Sequence, residues 1–169
     1  AHLQGDRNDF PAAEAAYQEA LAIRRRLAEA NPPAYLPHVA MTLNNLAVLR
    51  QDKNDFAAAE AGYQEALAIY RRLAEANSQT YLPYVALTAV NMSIFYLQAV
   101  PDREKSLVYT KETVVAAEPF AECGPIVLNY ASQALQVAAA RGLAKEAFAR
   151  ERVKGERRQE GRRAEVVVE

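Results

Sequence analysis

Cysteine and histidine are scarce in this chain, and their scarcity excludes several kinds of site. Cys123 is the only cysteine, so an internal disulfide and a cysteine-rich metal centre are both excluded. The two histidines, His2 and His38, are far apart, and neither has the second ligand one helical turn away that a helical zinc site requires. We therefore expect no metal and no cofactor, and a single thiol favours a reducing compartment such as the cytoplasm.

Net charge and long apolar runs are also lacking. With a formal charge of -1, the chain has no excess of basic residues to attract nucleic acid or an anionic membrane. The most apolar stretch, residues 85–97, contains Thr, Asn and Ser and fits an amphipathic helix better than a membrane span. Arginines after residue 149 are interleaved with glutamates and are followed by no aromatic residue beyond Phe148. We expect no nucleic acid and no membrane as partner.

What the chain does contain is a long internal repeat. Residues 8–31, NDFPAAEAAYQEALAIRRRLAEAN, recur as residues 54–77, NDFAAAEAGYQEALAIYRRLAEAN, at an offset of 46. The segments that follow, YLPHVAMTLNNLAVL and YLPYVALTAVNMSIF, keep the same offset. A repeat of this length is typical of helical arrays in which each unit packs on the next.

Apolar residues at helical spacing, interrupted by proline, glycine and asparagine, divide the chain into helices. The predicted helices are residues 10–30, 37–51, 56–76, 83–98, 102–118, 126–141 and 143–154, with Pro37 and Pro83 taken as helix starts. The short linkers predict antiparallel hairpins. We assign residues 1–154 to one repeat domain, with a partial repeat at 1–35 and repeats at about 36–80, 81–122 and 123–154, followed by a charged cap or tail at 155–169. The chain is expected to begin partway along a helix, as part of a longer array.

The segment MTLNNLAVLRQDKNDFAAAEAGYQEA, residues 41–66, resembles the tetratricopeptide repeat. TLNNLAVL followed by AEAGYQEAL is similar to the long variant found in kinesin light chains and many bacterial repeat proteins. The characteristic positions of the family fall on Leu46, Ala47, Phe56, Ala59, Tyr63 and Ala66. The resemblance implies an all-α fold, a right-handed superhelical stack of antiparallel helix hairpins, in which small residues lie where helices approach most closely.

The resemblance also implies a concave groove that the first helix of each pair lines. Carried over to this chain, the wall of the groove consists of Met41, Asn44, Asn45, Val48, Gln51, Leu87, Val90, Asn91, Ile94 and Leu97. Asn45 and Asn91 are one repeat apart, and each amide offers a donor and an acceptor to a peptide backbone. Alternatively, these amides bond neighbouring helices within the stack. The listed positions contain no Lys or Arg, which disfavours a clamp for an acidic motif and favours apolar and amide recognition.

These observations predict a non-enzymatic scaffold that binds a peptide or helix of a partner protein. The recurring glutamates lie on charged helix faces and are not a catalytic pair, and Cys123 has no catalytic sequence pattern around it. A structural spacer or sensor arm of a larger signalling protein is the alternative function. Self-association is also expected, because the apolar face of the first hairpin with Tyr17, Leu21 and Leu27 would lack part of its cover.

Overall fold

The fold is all-α, as predicted. A computed structural model describes residues 10–120 and 125–140, and that part of the chain contains no strand. The helices are α1 (Phe10–Ala30), α2 (Pro32–Asp52), α3 (Phe56–Ala76), α4 (Ser78–Gln98), α5 (Arg103–Ala117) and α6 (Pro125–Ala140), with one turn of 3-10 helix at Glu118–Phe120. Predicted features at residues 1–9, 143–154 and 155–169, together with His2 and Cys123, lie outside the described residues.

The helices form two rows. Each helix packs against the next one along the chain, and α4 also packs against α6. Side-chain bonds link α2 to α4, α1 to α3 and α3 to α5. We call α1, α3 and α5 the odd row and α2, α4 and α6 the even row. Because only one to four residues join consecutive helices from α1 to α5, each of these helices must reverse direction relative to its predecessor.

The starts of α2 and α4 differ from the sequence prediction. We expected α2 to begin at Pro37 and α4 at Pro83, but both prolines lie inside their helices. Pro32 stands at the first helical position, where a missing amide costs nothing. Asn31 caps α2 by accepting a hydrogen bond from the Ala34 amide, and Asn77 caps α4 in the same way. An internal proline removes one backbone bond, and these caps and the packing of both helices outweigh that loss.

The turn between α2 and α3 differs from the turns that precede α2 and α4. Asn54 adopts a positive φ of 62°, a left-handed conformation that asparagine tolerates better than most residues. The next residue, Asp55, accepts a hydrogen bond from the Ala58 amide and so begins α3. The Asn54-Asp55 pair therefore ends α2 and starts α3.

The helices α2 and α3 approach each other closely at Gly62. A Cβ atom at this position would be only 3.1 Å from the Cβ of Ala47. Ala59 and Ala66, one turn before and after Gly62 on the same face of α3, are fully buried. The small residues of the repeat therefore lie where the helices of one hairpin meet, as the resemblance implied.

Ion pairs connect successive helices of the odd row. Arg25 on α1 donates two hydrogen bonds to the Glu65 carboxylate at 2.6 and 2.7 Å. Arg71, which is one repeat later, makes the equivalent bidentate pair with Glu112 at 2.6 Å. Exposed pairs of this kind contribute little stability individually, about 0–1 kcal/mol. The two pairs join neighbouring helices of the odd row in the same way.

A second recurring contact involves Arg50 and Tyr96, which occupy equivalent positions in the two copies of the repeat. Arg50 donates to the Glu14 carboxylate at 3.2 Å, and Lys53 pairs with the same group. These bonds from Lys53 and Arg50 hold the pKa of Glu14 below its usual range. One repeat later, the Tyr96 hydroxyl donates to the Glu60 carboxylate. Either side chain therefore supplies a donor to the glutamate of the preceding odd-row helix.

The prediction that the apolar face of the first hairpin lacks part of its cover is only partly correct. Leu21 is 8% exposed, because it packs in the same core as α2 residues, so the expectation that it lacks cover is wrong. Leu27 is 40% exposed and Tyr17 is half-buried.

No helix within residues 10–120 and 125–140 is both long and apolar enough to cross a membrane.

Candidate functional site

The candidate site is a stripe of side chains on the even row. On both α2 and α4 the accessible positions recur at helical spacing and at the repeat offset of 46 residues. We call this set the even-row strip, and its members are His38, Met41, Asn45, Val48, Tyr84, Leu87, Asn91 and Ile94. The α2 members are exposed, whereas Leu87, Asn91 and Ile94 are half-buried because α4 lies between α2 and α6.

Six of the ten residues predicted for the groove wall belong to this strip. Two of the others are buried, and the prediction is wrong for them: Asn44 is 6% exposed and Val90 is 1% exposed. Each precedes a strip residue by one position, and a shift of one residue turns a side chain about 100° around a helix, here into the contact between helices. Gln51 and Leu97 are half-buried, and Gln51 accepts a 3.1 Å hydrogen bond from Tyr63.

The asparagine amides form a chain across α2 and α4. Asn91 Nδ2 donates to Asn44 Oδ1 at 3.1 Å, and Asn44 Nδ2 lies 3.5 Å from Asn45 Oδ1. For Asn91 the structure thus contains the helix-to-helix bond that the sequence left as an alternative. The Asn45 NH₂ group and the Asn91 carbonyl oxygen have no hydrogen-bond partner among the residues that the structure describes. One donor and one acceptor therefore remain for a ligand.

A pocket adjoins the strip at the start of α2 and α4. It has a volume of about 320 Å³ and lies where the N-terminal halves of these two helices meet the C-terminal part of α3. We call it the tyrosine pocket, and its lining consists of Pro33, Ala34, Pro37, His38, Met41, Tyr70, Thr80, Tyr81 and Tyr84. His38, Met41 and Tyr84 belong to both the pocket and the strip, so the two surfaces are continuous.

Two tyrosine rings form the rigid part of the pocket. Tyr70 and Tyr84 stack with 5.2 Å between ring centroids and 15° between ring planes. Tyr70 is buried, its hydroxyl donates to the Pro37 carbonyl at 3.4 Å, and burial raises its pKa above the usual range. Tyr84 is 43% exposed. The buried ring thus holds an exposed ring in place.

Sequence reasoning missed this part of the site. His38 and Tyr84 occupy equivalent positions of the two copies, but neither belongs to the predicted groove wall. Tyr70 replaces Arg24 of the first copy, and this substitution was the available signal. The Arg24 side chain instead bonds to the His38 carbonyl at 3.3 Å and to the Thr42 hydroxyl.

The strip and the pocket carry no Lys, Arg, Asp or Glu. Within residues 10–120 and 125–140 there is also no group of three or more His, Cys, Asp or Glu side chains that could hold a metal ion. The arrangement offers apolar contact, tyrosine rings and single amide groups. Chemically, it is suited to reversible binding.

Two rows of helices with a continuous uncharged surface define a helical-repeat binding scaffold. The family model for the tetratricopeptide repeat matches residues 5–34 and 39–79, which cover both copies of the internal repeat. The matched part of the chain therefore consists of tetratricopeptide repeats. Repeats of this family generally mediate protein-protein interactions and are typically non-enzymatic. Neither the curated proteins nor the solved structures contain a match.

Proposed function

We propose that the even-row strip binds an uncharged peptide segment of a partner protein. The supporting observation is that α2 and α4 present equivalent accessible positions that are apolar, aromatic or amide-bearing and include no Lys, Arg, Asp or Glu. Exposed apolar residues on one helix face, such as Met41 and Val48, are typical of interaction surfaces. A partner that lies across both helices would contact the same kinds of side chain twice.

The Asn45 NH₂ group and the Asn91 carbonyl oxygen determine how such a partner is held. Asn45 can donate to a backbone carbonyl and Asn91 can accept from a backbone amide, whatever the side chains of the partner are. Basic side chains are absent from the strip, which disfavours acidic motifs, free carboxyl termini and nucleic-acid phosphates as ligands. The partner is therefore a protein segment recognised through its backbone and its apolar side chains. A cytoplasmic location remains our proposal, and it rests on the single cysteine.

The two asparagines should respond differently to replacement by alanine. Asn45→Ala should weaken peptide binding about fivefold with little change in melting temperature, because one net hydrogen bond is worth about 1 kcal/mol. Asn91→Ala should weaken binding and also lower the melting temperature, since the buried Asn44 carbonyl loses its donor. The measurements are affinities for peptides selected from a random display library, together with thermal unfolding of each variant.

A charged variant and a remote control complete this experiment. Val48→Asp places a carboxylate on the strip and should abolish binding, whereas Val108→Asp, on an exposed valine of α5, should leave it unchanged. If the selected peptides bind Val48→Asp as tightly as the wild type, the strip is not the binding surface.

A structural spacer is the second candidate function. It is favoured by the bonds that tie neighbouring hairpins together, namely Asn91 to Asn44 in the even row and the bidentate arginine pairs in the odd row. A spacer needs a fixed register between hairpins and no ligand. If the library gives no strip-dependent peptide while the protein stays folded, the spacer becomes the preferred function.

We further propose that the first hairpin associates with a second copy of the chain. Ala13, Tyr17 and Ala20 on α1 are the sequence equivalents of Ala59, Tyr63 and Ala66 on α3. The α3 residues are fully buried, whereas the α1 residues are only half-buried. The same apolar face thus remains available on α1.

Sedimentation of the chain should show a dimer or larger species whose proportion increases with protein concentration. Tyr17→Glu should shift the equilibrium to monomer, because it places a charge in the centre of this face. Val115→Glu, a change at an exposed valine of α5, is the matched control and should leave association unchanged. A monomer at the highest attainable concentration contradicts the proposal.

A further inference from the structure

We propose that the tyrosine pocket receives the ring of a proline, so that the partner segment on the even-row strip is proline-rich and adopts the polyproline II conformation. This inference rests on the proposed function and specifies the class of its ligand. It depends on the shape of the pocket, on the donors beside it and on its lack of charge.

The pocket presents a flat, preformed ring surface. Tyr84 stacks on buried Tyr70, whose hydroxyl is bonded to the Pro37 carbonyl, so the exposed ring is held before any ligand arrives. A volume of about 320 Å³ is at the lower end of the range for small-molecule sites and suits a side chain or two of a longer segment. Rigid aromatic rings bind proline rings well, because neither partner loses much conformational freedom.

The polar groups next to the pocket match what such a segment needs. Proline has no amide hydrogen, and a polyproline II segment has no internal hydrogen bonds, so its carbonyl oxygens require donors from outside. The Tyr81 and Tyr84 hydroxyls and the Asn45 NH₂ group have no partner in the described part of the chain. These donors lie in the pocket or on the strip that continues from it.

Tyrosine rings also bind cations and nucleotides, and the lack of charge in the tyrosine pocket favours proline over these two ligands. The pocket lining has no carboxylate to complement a cation held over a ring, and no Lys or Arg to pair with the phosphates of a stacked nucleotide. Proline-rich segments are uncharged along their backbone and their rings. Of these three ligand classes, only the proline-rich segment requires no charged group in the pocket lining.

The test uses a fluorescein-labelled decaproline with a blocked carboxyl terminus, titrated with the full chain and followed by anisotropy. The reference probe is a labelled Gly-Ser decapeptide. Decaproline should bind at least tenfold more tightly than the reference. Tyr84→Ala should weaken the affinity for decaproline at least tenfold. Tyr84→Phe, which keeps the ring and loses the hydroxyl, should weaken this affinity about two- to fivefold. Circular dichroism checks that each variant is folded.

The random library described above separates failure of this inference from failure of the proposed function. Library peptides that are rich in proline and lose binding in Tyr84→Ala support the inference. Library peptides that bind the strip and lose binding in Val48→Asp, but contain no proline and do not depend on Tyr84, overturn it and leave the proposed function intact. The absence of any strip-dependent peptide overturns both. If Tyr84→Ala is unfolded, Met41→Lys serves instead, because Met41 lines the same pocket and is exposed.

Discussion

Replacing Phe95 by alanine is expected to destabilise the protein by about 3–5 kcal/mol, the usual cost of deleting a buried aromatic ring. Phe95 is completely buried on α4. Its ring meets those of Phe56, Tyr63 and Tyr96 edge-on, with centroids 6.3, 5.9 and 5.1 Å away. The ring therefore joins residues of two helices, α3 and α4, and its loss leaves a cavity where the hairpins meet.

Urea unfolding followed by circular dichroism measures this effect. Phe95→Leu is the conservative comparison and should lose clearly less, because it fills part of the cavity. Val108→Ala, which changes an exposed side chain, should alter stability by less than about 0.5 kcal/mol. If Phe95→Ala lowers the free energy of unfolding by no more than Val108→Ala does, the aromatic cluster does not hold the hairpins together.

The second large effect is expected where α2 and α3 meet. Ala66→Leu or Ala59→Leu should each cost about 1–3 kcal/mol, because both alanines are fully buried on the face of α3 that contains Gly62. A Cβ at Gly62 would already lie 3.1 Å from the Cβ of Ala47, so the helices have no room to accept a longer side chain nearby. Thermal or urea unfolding of each variant gives the loss.

Two exposed alanines of the same helix provide the controls. Ala68→Leu, two residues from Ala66, and Ala57→Leu, two residues from Ala59, add the same side chain on the solvent side of α3 and should be nearly silent. Similar losses of stability for the buried and exposed positions would mean that close packing of α2 on α3 does not limit the fold.

The repeat made most of the fold predictable. Two copies at one offset, with helical spacing and short linkers, are enough to predict an all-α array and the bounds of α1 and α3. The starts of α2 and α4 were less predictable, because a proline at residue 37 or 83 is compatible with a helix start. Only the caps at Asn31 and Asn77 reveal the earlier starts.

The candidate site was predictable in part. Helical periodicity placed Met41, Asn45 and Val48 on one accessible face, and the offset transferred that face to α4. It could not separate Asn44 from Asn45, since both follow the same pattern of apolar neighbours. Whether an asparagine faces solvent or the next helix depends on where that helix lies, which is a property of the stack.

By itself the sequence determined the class of this protein, its helical repeat and the absence of Lys and Arg from the predicted groove positions, because these properties depend on local spacing and residue type. The tertiary structure alone decided that Asn91 bonds to Asn44 and that Tyr70 supports Tyr84 beside a pocket. Those contacts join different helices. Their existence depends on the distance and the orientation between the packed helices. Small differences in side-chain volume at the contact determine that distance and that orientation.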